Sequence, residues 1–269
     1  MLGKWILRLL AIFYVTAILA GPLGYIFYKT FRHGFGPFWD AITTDLAIDA
    51  LKLTLIVTLW AVPLNAIFGV LCAMWIARKP SKTTAVISAF VDLPLALSPV
   101  VVGLALLILY GRGGWFGDWF NDHGYQVAFA TPGIVLATIF VSLPFVVREV
   151  VPVLREIGNE QEQAAWTLGA SSFTTFRRIT LPAIRPALVY GIVLTAARCL
   201  GEFGAVTVIS GRIQGQTETL TLYVEDRFES FDLTGAYATS VLLATIAIIT
   251  LVLANLRKPA HRRQGEATR

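Results

Sequence analysis

Arg198 and Glu202 are the first residues whose types and spacing could do chemistry, because both lie inside a long apolar stretch. Side chains four residues apart share one face of a helix, so this arginine and this glutamate can pair. A charge inside a bilayer costs at least about 2.5–3.5 kcal/mol unless it is paired or hydrated, so it usually marks a structural pair or a polar pathway. Both interpretations stay open. In the pathway interpretation, Arg198 meets an anion and Glu202 holds its guanidinium.

Three further residues complete the candidate pathway. Phe203 follows the glutamate directly, and Ser98-Pro99 interrupts another apolar stretch five residues after Pro94. Prolines leave backbone hydrogen bonds unmade, so this second stretch is predicted to be a kinked helix. Ser98 and Pro99 are therefore candidates for a gate, although kinked helices are common in membrane proteins.

The residue patterns of an enzyme are missing. The sequence contains no G-x4-G-K-[ST] motif, so the chain cannot bind ATP by that route. Its three histidines fall in predicted loops, where they form neither a metal cluster nor a base for a nucleophile. Its two cysteines lie inside apolar segments and are interpreted as packing residues. We predict no catalytic residue, no metal site and no cofactor in this chain.

The stretch Glu160–Pro186, EQEQAAWTLGASSFTTFRRITLPAIRP, is too polar to span a membrane. Helix formers run to Leu168, Gly169 breaks the pattern, and Ser171 or Ser172 could cap a second short helix. We predict two short helices at a membrane surface, with a bend at the glycine. Periodicity alone would also allow an interfacial amphipathic linker without further function.

The elements that must position these residues are membrane helices. Hydrophobic residues make up 56% of the 269 and charged residues 14%, against about 25% charged in a soluble domain. Six stretches contain the roughly 20 apolar residues that a spanning helix needs. We predict one all-α membrane domain over residues 1–269, with spans at about Trp5–Tyr28, Leu51–Ala77, Thr84–Tyr110, Thr131–Val153, Ala183–Ser210 and Ala236–Leu256.

The positions of Lys and Arg orient the bundle. Fifteen of the 22 fall on one side of the predicted spans and five on the other, and the richer side is expected to be cytoplasmic. Both termini and the stretch Glu160–Pro186 are then cytoplasmic. The basic tail from Arg257 is expected to be disordered or to contact anionic lipid. Outside, Leu220–Phe231 could form a surface helix that docks a partner or caps the bundle, with Leu222, Tyr223 and Phe228 as its apolar positions.

The surface stretch has a spacing that resembles a known family. It fits the pattern E-A-A-x3-G-x9-I-x-L-P of the cytoplasmic loop of bacterial ABC importer permeases, except that glutamine stands at the glutamate position. The matching residues are Gln163, Ala164, Ala165, Gly169, Ile179, Leu181 and Pro182. The resemblance implies a type I permease fold, with a coupling helix in the loop 156–182 that docks on an ATPase. A charged contact made by the family's glutamate would here become a neutral hydrogen bond or come from Glu162.

Further stretches narrow the resemblance to the sulfate and molybdate uptake group. They are DLPLALSPVVVGL from Asp92, TIFVSLPFVVRE from Thr138 and RCLGEFGAV from Arg198. With VISGRIQGQTETLTL from Val208, they are most similar to sulfate/thiosulfate permeases of the CysW type. The resemblance implies three kinds of partner: a CysA-type ATPase dimer, a second permease of the CysT type, and an extracytoplasmic sulfate/thiosulfate-binding protein.

Two alternatives remain. A molybdate permease shares the Gly-Glu-Phe-Gly-Ala stretch from Gly201, although the segment Thr217–Leu222 favours sulfate. A stand-alone secondary anion carrier would need no ATPase, and the spacing of the coupling motif argues against it. The sequence therefore predicts a non-catalytic permease in the inner membrane.

Overall fold

The computed structural model describes residues 2–79 and 81–256, and every regular element in that part of the chain is helical. The basic tail from Arg257 lies outside it. Two π-helical turns, Thr16–Ala20 and Phe176–Thr180, precede α2 and α11. The α-helices are α1 (Leu2–Val15), α2 (Gly21–Phe31), α3 (Phe35–Ile42), α4 (Asp45–Arg78), α5 (Lys82–Ala96), α6 (Pro99–Tyr110), α7 (Gly117–Asp122), α8 (Thr131–Ile157), α9 (Glu160–Thr167), α10 (Ser172–Thr175), α11 (Leu181–Leu200), α12 (Gly204–Ile209), α13 (Leu220–Glu229) and α14 (Leu233–Leu256).

Among the described residues, five helical segments are long and apolar enough to cross a membrane. They are Trp5–Phe31, Asp45–Arg78, Thr131–Ile157, Ser172–Leu200 and Leu233–Val252. A sixth crossing results if α5 and α6 form one broken span, since they are bent by 108° at their junction. The predicted all-α membrane bundle of about six spans is confirmed.

The core of the bundle is the packing of α4, α8 and α11. Small residues let these helices approach: a methyl group built on Gly69 would lie 2.8 Å from the Cβ of Val146. One built on Gly191 would lie 3.1 Å from the Cα of the same valine. Between lipid-exposed helices there is no hydrophobic driving force, so such close van der Waals contact is what holds them together.

A buried polar network also joins these three helices. The Asn65 amide on α4 donates to Ser142 Oγ on α8 at 2.7 Å, and Cys199 Sγ on α11 donates to the same oxygen at 3.4 Å. All three side chains are buried. Cys199 is thus a packing residue that also donates a weak hydrogen bond, and Cys72 is a free, half-buried thiol.

The first membrane helix stands away from this core. The apolar side chains from Trp5 to Leu19 are exposed, and the contacts of α1 lie with the π-helical turn beside it. Further along, α2 packs against α14. A helix with apolar side chains on all sides needs lipid or another protein chain around it.

The third predicted span is broken rather than merely kinked. Leu97 and Ser98 have extended backbones with ψ of 145° and 132°, between the end of α5 and the start of α6. The residue before a proline is pushed out of the helical region, and Pro99 is then suited to the first position of a new helix. This local preference converts the expected kink into a bend of 108°.

The fifth predicted span, Ala183–Ser210, differs from the structure at both ends. It begins earlier, because α10 continues through the π-helical turn Phe176–Thr180 into α11, so the second surface helix is the start of the span. It also stops earlier, because α11 ends at Leu200 and the chain restarts as α12 at Gly204. Glu202 therefore lies in a helix break and not on a continuous helix face.

Candidate functional site

The two helix breaks lie against each other. A methyl group built on Gly204 would be 2.9 Å from the Cβ of Pro99, and one built on Gly103 would be 2.4 Å from the carbonyl oxygen of Ala205. Two glycines thus allow α6 and α12 to pack side by side. This contact brings the predicted pathway residues on the two stretches, Pro99 and Phe203 among them, into one region of the bundle.

Glu202 is held from several directions inside that region. The residue as a whole is 3% exposed, and its Oε1 accepts a hydrogen bond from the backbone N–H of Ala205 at 2.9 Å. Its Oε2 lies 2.5 Å from Nη2 of Arg198. Its backbone carbonyl accepts from the hydroxyl of Thr221 at 2.8 Å. This glutamate therefore caps α12 and anchors the start of α13 as well as pairing with the arginine.

Arg198 is the open half of the pair. Its side chain is 30% exposed, whereas that of Glu202 is 2% exposed. A cavity on the inner side of the glutamate, lined also by Thr54 and Cys199, has a volume of about 10 Å³, which is room for about one water. The arginine is therefore the accessible member of the pair, and the space beside the carboxylate holds no more than about one water. Ser98 and Phe203 are exposed as well.

The predicted coupling residues divide into a surface set and an anchoring set. Gln163, Ala164 and Gly169 are exposed, and Pro182 is exposed at the start of α11. Ala165, Ile179 and Leu181 are partly buried. The residues Ile179 and Leu181 therefore anchor the loop where it runs into α11, and the motif residues around Gly169 face outward.

Large apolar side chains surround the exposed motif residues. Trp166, Leu168 and Phe173 are 51%, 87% and 72% exposed. Between α9 and α10 the chain turns at Gly169, whose φ is +82°. Ser171 Oγ then caps α10 by accepting from the N–H of Thr174 at 3.3 Å. An exposed patch of this kind, lying on a polar loop, is typical of a protein–protein contact.

Glu162 points away from that patch. It is 8% exposed and its Oε1 lies 2.6 Å from Nη2 of Arg78, at the end of α4. The hydroxyl of Thr180 donates to the same oxygen, also at 2.6 Å. Glu162 therefore does not present a surface carboxylate beside Gln163. Arg78 and Glu162 lie 84 positions apart, and no motif or spacing in the sequence predicts that they pair.

At the opposite end of the bundle, α13 caps the helices. Leu222 and Tyr223 are buried, whereas Phe228 is 59% exposed. Arg212, in the loop before α13, pairs with Glu225 at 3.0 Å and so ties this cap to that loop. Arg227 and Asp226, which pair at 2.8 Å, are neighbours within α13 itself. Burial, and secondarily the charge of Asp226, raises the pKa of the nearby Glu218 to about 7.

No metal centre accompanies these groups. In residues 2–79 and 81–256, no three His, Cys, Asp or Glu side chains lie close enough to hold a metal ion. The arrangement can do two things: expose one cation at a break in the bundle, and present an apolar loop to another protein.

A multi-pass helical bundle with paired helix breaks and an exposed loop of short helices has the architecture of a membrane permease. The chain belongs to the family of binding-protein-dependent transport system inner membrane components, whose model matches residues 65–262. The predicted resemblance to ABC importer permeases of the sulfate and molybdate uptake group is confirmed by this match and by the relatives of the chain.

The relatives match along most of their length. The chain is 47% identical to the sulfate transport system permease protein CysW of Synechocystis, covering 93% of this chain and 91% of the relative. It is 43% identical to CysW of Escherichia coli K12, over 94% of this chain and 87% of the relative. The sulfate transport system permease protein CysT of Synechocystis is 36% identical, over 94% and 88%.

Solved structures agree on the fold. A chain of a bacterial alginate ABC transporter, in complex with an alginate pentasaccharide-bound periplasmic protein, superposes with a TM-score of 0.76. The match covers 97% of this chain and 94% of that one at 20% identity. At this identity the likeness concerns the fold alone.

Proposed function

We propose that this chain is a membrane-spanning permease subunit of an ATP-driven importer that carries sulfate, and with it thiosulfate, across the inner membrane. The observation that carries the proposal is the 47% identity to a CysW sulfate permease over nearly the whole chain. The chain itself would be non-catalytic and would need no cofactor, because its role is to open and close a path while a separate ATPase subunit hydrolyses ATP.

The exposed loop supports an ATPase partner. Trp166, Leu168 and Phe173 form an apolar surface next to the exposed Gln163, which can give and accept a neutral hydrogen bond. In this proposal a CysA-type ATPase dimer receives α9 of each permease. ATP binding would move the loop, and the loop would move the helices attached to it.

A second permease and a binding protein complete the proposed assembly. The exposed α1 needs lipid or another protein chain around it, and in this proposal a CysT-type permease covers part of it. The 36% identity to a CysT protein supports a partner that is built similarly. At the opposite end, an open cleft of about 560 Å³, lined by residues such as Arg112, Asn121 and Gln126, lies at the tip of α6. This cleft and the exposed Phe228 offer a docking surface to an extracytoplasmic binding protein.

Within the membrane, Arg198 is the proposed contact for the anion. Its guanidinium is already held by Glu202, so an arriving anion would meet a pre-oriented but partly neutralised cation. A weak contact suits a transport path, because an anion bound too tightly would not leave. Ser98 and Phe203, exposed at the two breaks, would line the same path.

The charge distribution supports an orientation with both termini in the cytoplasm. Most Lys and Arg residues then lie on the cytoplasmic side, as the positive-inside rule requires. Cysteine-accessibility labelling from outside whole cells tests this arrangement. A cysteine placed at Phe228 should react with a membrane-impermeant reagent, and one placed at Leu168 should not.

Competition uptake tests the substrate. Cells carrying the complete transporter should take up labelled sulfate, and excess unlabelled sulfate or thiosulfate should compete more strongly than molybdate. Preferential competition by molybdate would assign the chain to molybdate transport instead. Liposomes that contain this chain without an ATPase should show no uptake. Sulfate flux in those liposomes would identify a secondary carrier.

A further inference from the structure

The buried contact between the coupling loop and the bundle centres on Arg78. We propose that Arg78, Glu162 and Thr180 form a latch that transmits movement of the docking loop to the transmembrane core. This proposal rests on the function proposed above and assigns positioning residues to its coupling step. The latch comprises these three side chains and the backbone carbonyls of Leu154 and Gly158.

The guanidinium of Arg78 joins three helices. One of its nitrogens, Nη1, donates to the carbonyl of Leu154 at 3.1 Å and to that of Gly158 at 2.5 Å. The other, Nη2, donates to Glu162 Oε1 at 2.6 Å. Carbonyls in the last turn of a helix have no partner within it, and a cation there also interacts favourably with the helix dipole. Arg78, the last residue of α4, therefore caps α8 and holds α9 at once.

Thr180 adds the fourth segment. It is the last residue of the π-helical turn that leads into α11, and its hydroxyl donates to the same Glu162 oxygen at 2.6 Å. Single π-helical turns interrupt α-helices frequently at functional sites. The carboxylate of Glu162 thus receives hydrogen bonds from the end of α4 and from the approach to α11.

The latch is tight enough to carry movement. The side chain of Glu162 is 10% exposed and that of Arg78 is 20% exposed. The adjoining cavity, lined by Leu154, Ile179 and Ala183 among others, has a volume of only about 10 Å³. A buried, charge-assisted contact resists displacement because removing one partner leaves the other charge unpaired, at a cost far above that of an exposed pair.

The connected helices are the ones that pack the core. α4, α8 and α11 meet at Gly69, Val146 and Gly191, and they carry Asn65, Ser142 and Cys199 between them. A displacement of α9 would be transmitted to these three helices through the ion pair of Glu162 with Arg78. Without the latch, α9 would move while α4, α8 and α11 stayed in place, and ATP would be hydrolysed without transport.

The chain contains a matched control. Asp92 on α5 and Arg148 on α8 also form an ion pair between helices, at 2.8 Å, but their side chains are 41% and 58% exposed. Exposed pairs of this kind contribute little, about 0–1 kcal/mol. Arg148→Gln therefore removes the same type of group from the same bundle without touching the latch.

The test measures ATP hydrolysed per labelled sulfate transported, in proteoliposomes that contain the complete transporter and its loaded binding protein. We expect Arg78→Gln and Glu162→Gln each to raise this ratio at least about tenfold, within the range of coupling free energies between protein sites. Arg78→Gln with Glu162→Gln should be no worse than either change alone, and Arg148→Gln should match the wild type.

Two milder variants protect the test against a failure to assemble. Thr180→Val removes one hydrogen bond and should raise the ratio about threefold, in line with the modest net value of a hydrogen bond. Arg78→Lys keeps the charge but cannot reach the carbonyls and Glu162 together, so it should lie between Thr180→Val and Arg78→Gln. The amount of copurified ATPase is measured for each variant.

The outcomes separate the latch from the proposed function. Unchanged ratios in these variants, or losses of transport and ATP hydrolysis in proportion to assembled complex, would refute the latch. A wild-type complex that hydrolyses ATP without taking up sulfate would instead refute the proposed function. A higher ratio with normal assembly supports the latch.

Discussion

Arg198 is the more exposed member of its ion pair, and this asymmetry decides which side chain we expect to matter for transport. Glu202 has structural partners besides the arginine: the N–H of Ala205 and, through its backbone, the hydroxyl of Thr221. The side chain of Arg198 is 30% exposed, so it is the member of the pair that solutes can reach. We therefore expect substitutions of Arg198 and of Glu202 to have different effects on transport and on assembly.

We expect Arg198→Ala to lower sulfate uptake at least about tenfold, because it removes the cation that an anion could meet along the path. The amount of assembled transporter should change much less. Uptake by the complete transporter is compared with the amount of copurified complex. Glu202→Ala removes the α12 cap and leaves the arginine unpaired, so it should reduce assembly first. Equal loss of complex in both variants would favour a purely structural pair.

Gly169 is constrained by its backbone and not by its surroundings. Its φ is +82°, and a methyl group built on it would meet no atom within 4 Å. A β-branched residue would strain this left-handed turn, whereas asparagine visits this region more easily. We expect Gly169→Val to insert normally but to lose ATPase coupling, and Gly169→Asn to retain part of it. Copurification and binding-protein-stimulated ATP hydrolysis measure both, and normal coupling in the valine variant would contradict the docking role.

Contacts between residues close in sequence can be predicted from their spacing. Arg198 and Glu202 are four positions apart, and the predicted pair forms even though the helix breaks between them. Glu162 and Arg78 lie 84 positions apart, and no local spacing predicts their contact. The helix α9 has little amphipathic pattern, so nothing in the sequence shows that Glu162 faces inward and Gln163 outward.

At the scale of elements, the two helix breaks are supported by each other. Pro99 starts α6 where α12 begins at Gly204, and a methyl group on Gly204 would come within 2.9 Å of the proline ring. At each break the helical backbone hydrogen bonds are interrupted. The contact between the two breaks and the cap by Glu202 must therefore compensate for part of the lost stability. The sequence predicted a kink at the prolines from local backbone rules. It did not predict the break at Gly201–Phe203, because glycine in a membrane helix more often serves packing.

We expect Gly103→Ala to destabilise the transporter by roughly 1–3 kcal/mol, as overpacking of a tight contact does. The added methyl group would lie 2.4 Å from the backbone oxygen of Ala205, which a rotamer change cannot relieve. Gly24→Ala in α2 is the control, since its methyl group meets nothing within 4 Å and alanine favours a helix. Thermal unfolding of the purified complex compares the two, and equal melting temperatures would contradict the close contact between α6 and α12.

At the scale of the whole molecule, the two ends of the bundle differ in how their charges are held. At the end that carries the loop 156–182, Arg78 donates hydrogen bonds to two backbone carbonyls and to the buried carboxylate of Glu162. At the α13 end, the ion pair of Arg212 with Glu225 ties the cap to the preceding loop, and a further carboxyl, Glu218, is 4% exposed nearby. The contacts of Arg78 hold the first end together through buried charge-assisted hydrogen bonds. The α13 end, in contrast, contains a carboxyl group that can change its charge near neutral pH.

Glu218 therefore predicts a pH dependence of stability. Its pKa rises from 4.5 to about 7, first through burial and then through repulsion by Asp226, while Arg227 and Arg212 oppose the rise. The folded chain then binds more protons than the unfolded chain between these two values. Stability should fall as pH rises from about 4.5 to about 7 and should change no further from this group above that.

The variant Glu218→Gln removes this dependence. The melting temperature of the purified complex should be the same for wild type and variant at the acidic end of this window, and the variant should be more stable by a few degrees at pH values above about 7. Subtracting the two profiles removes the contributions of all other titrating groups, because both proteins share them. Glu229→Gln, an exposed glutamate at the end of the same cap, is the control and should follow the wild type. Parallel profiles for wild type and Glu218→Gln across the window would show that the buried carboxyl keeps its ordinary pKa.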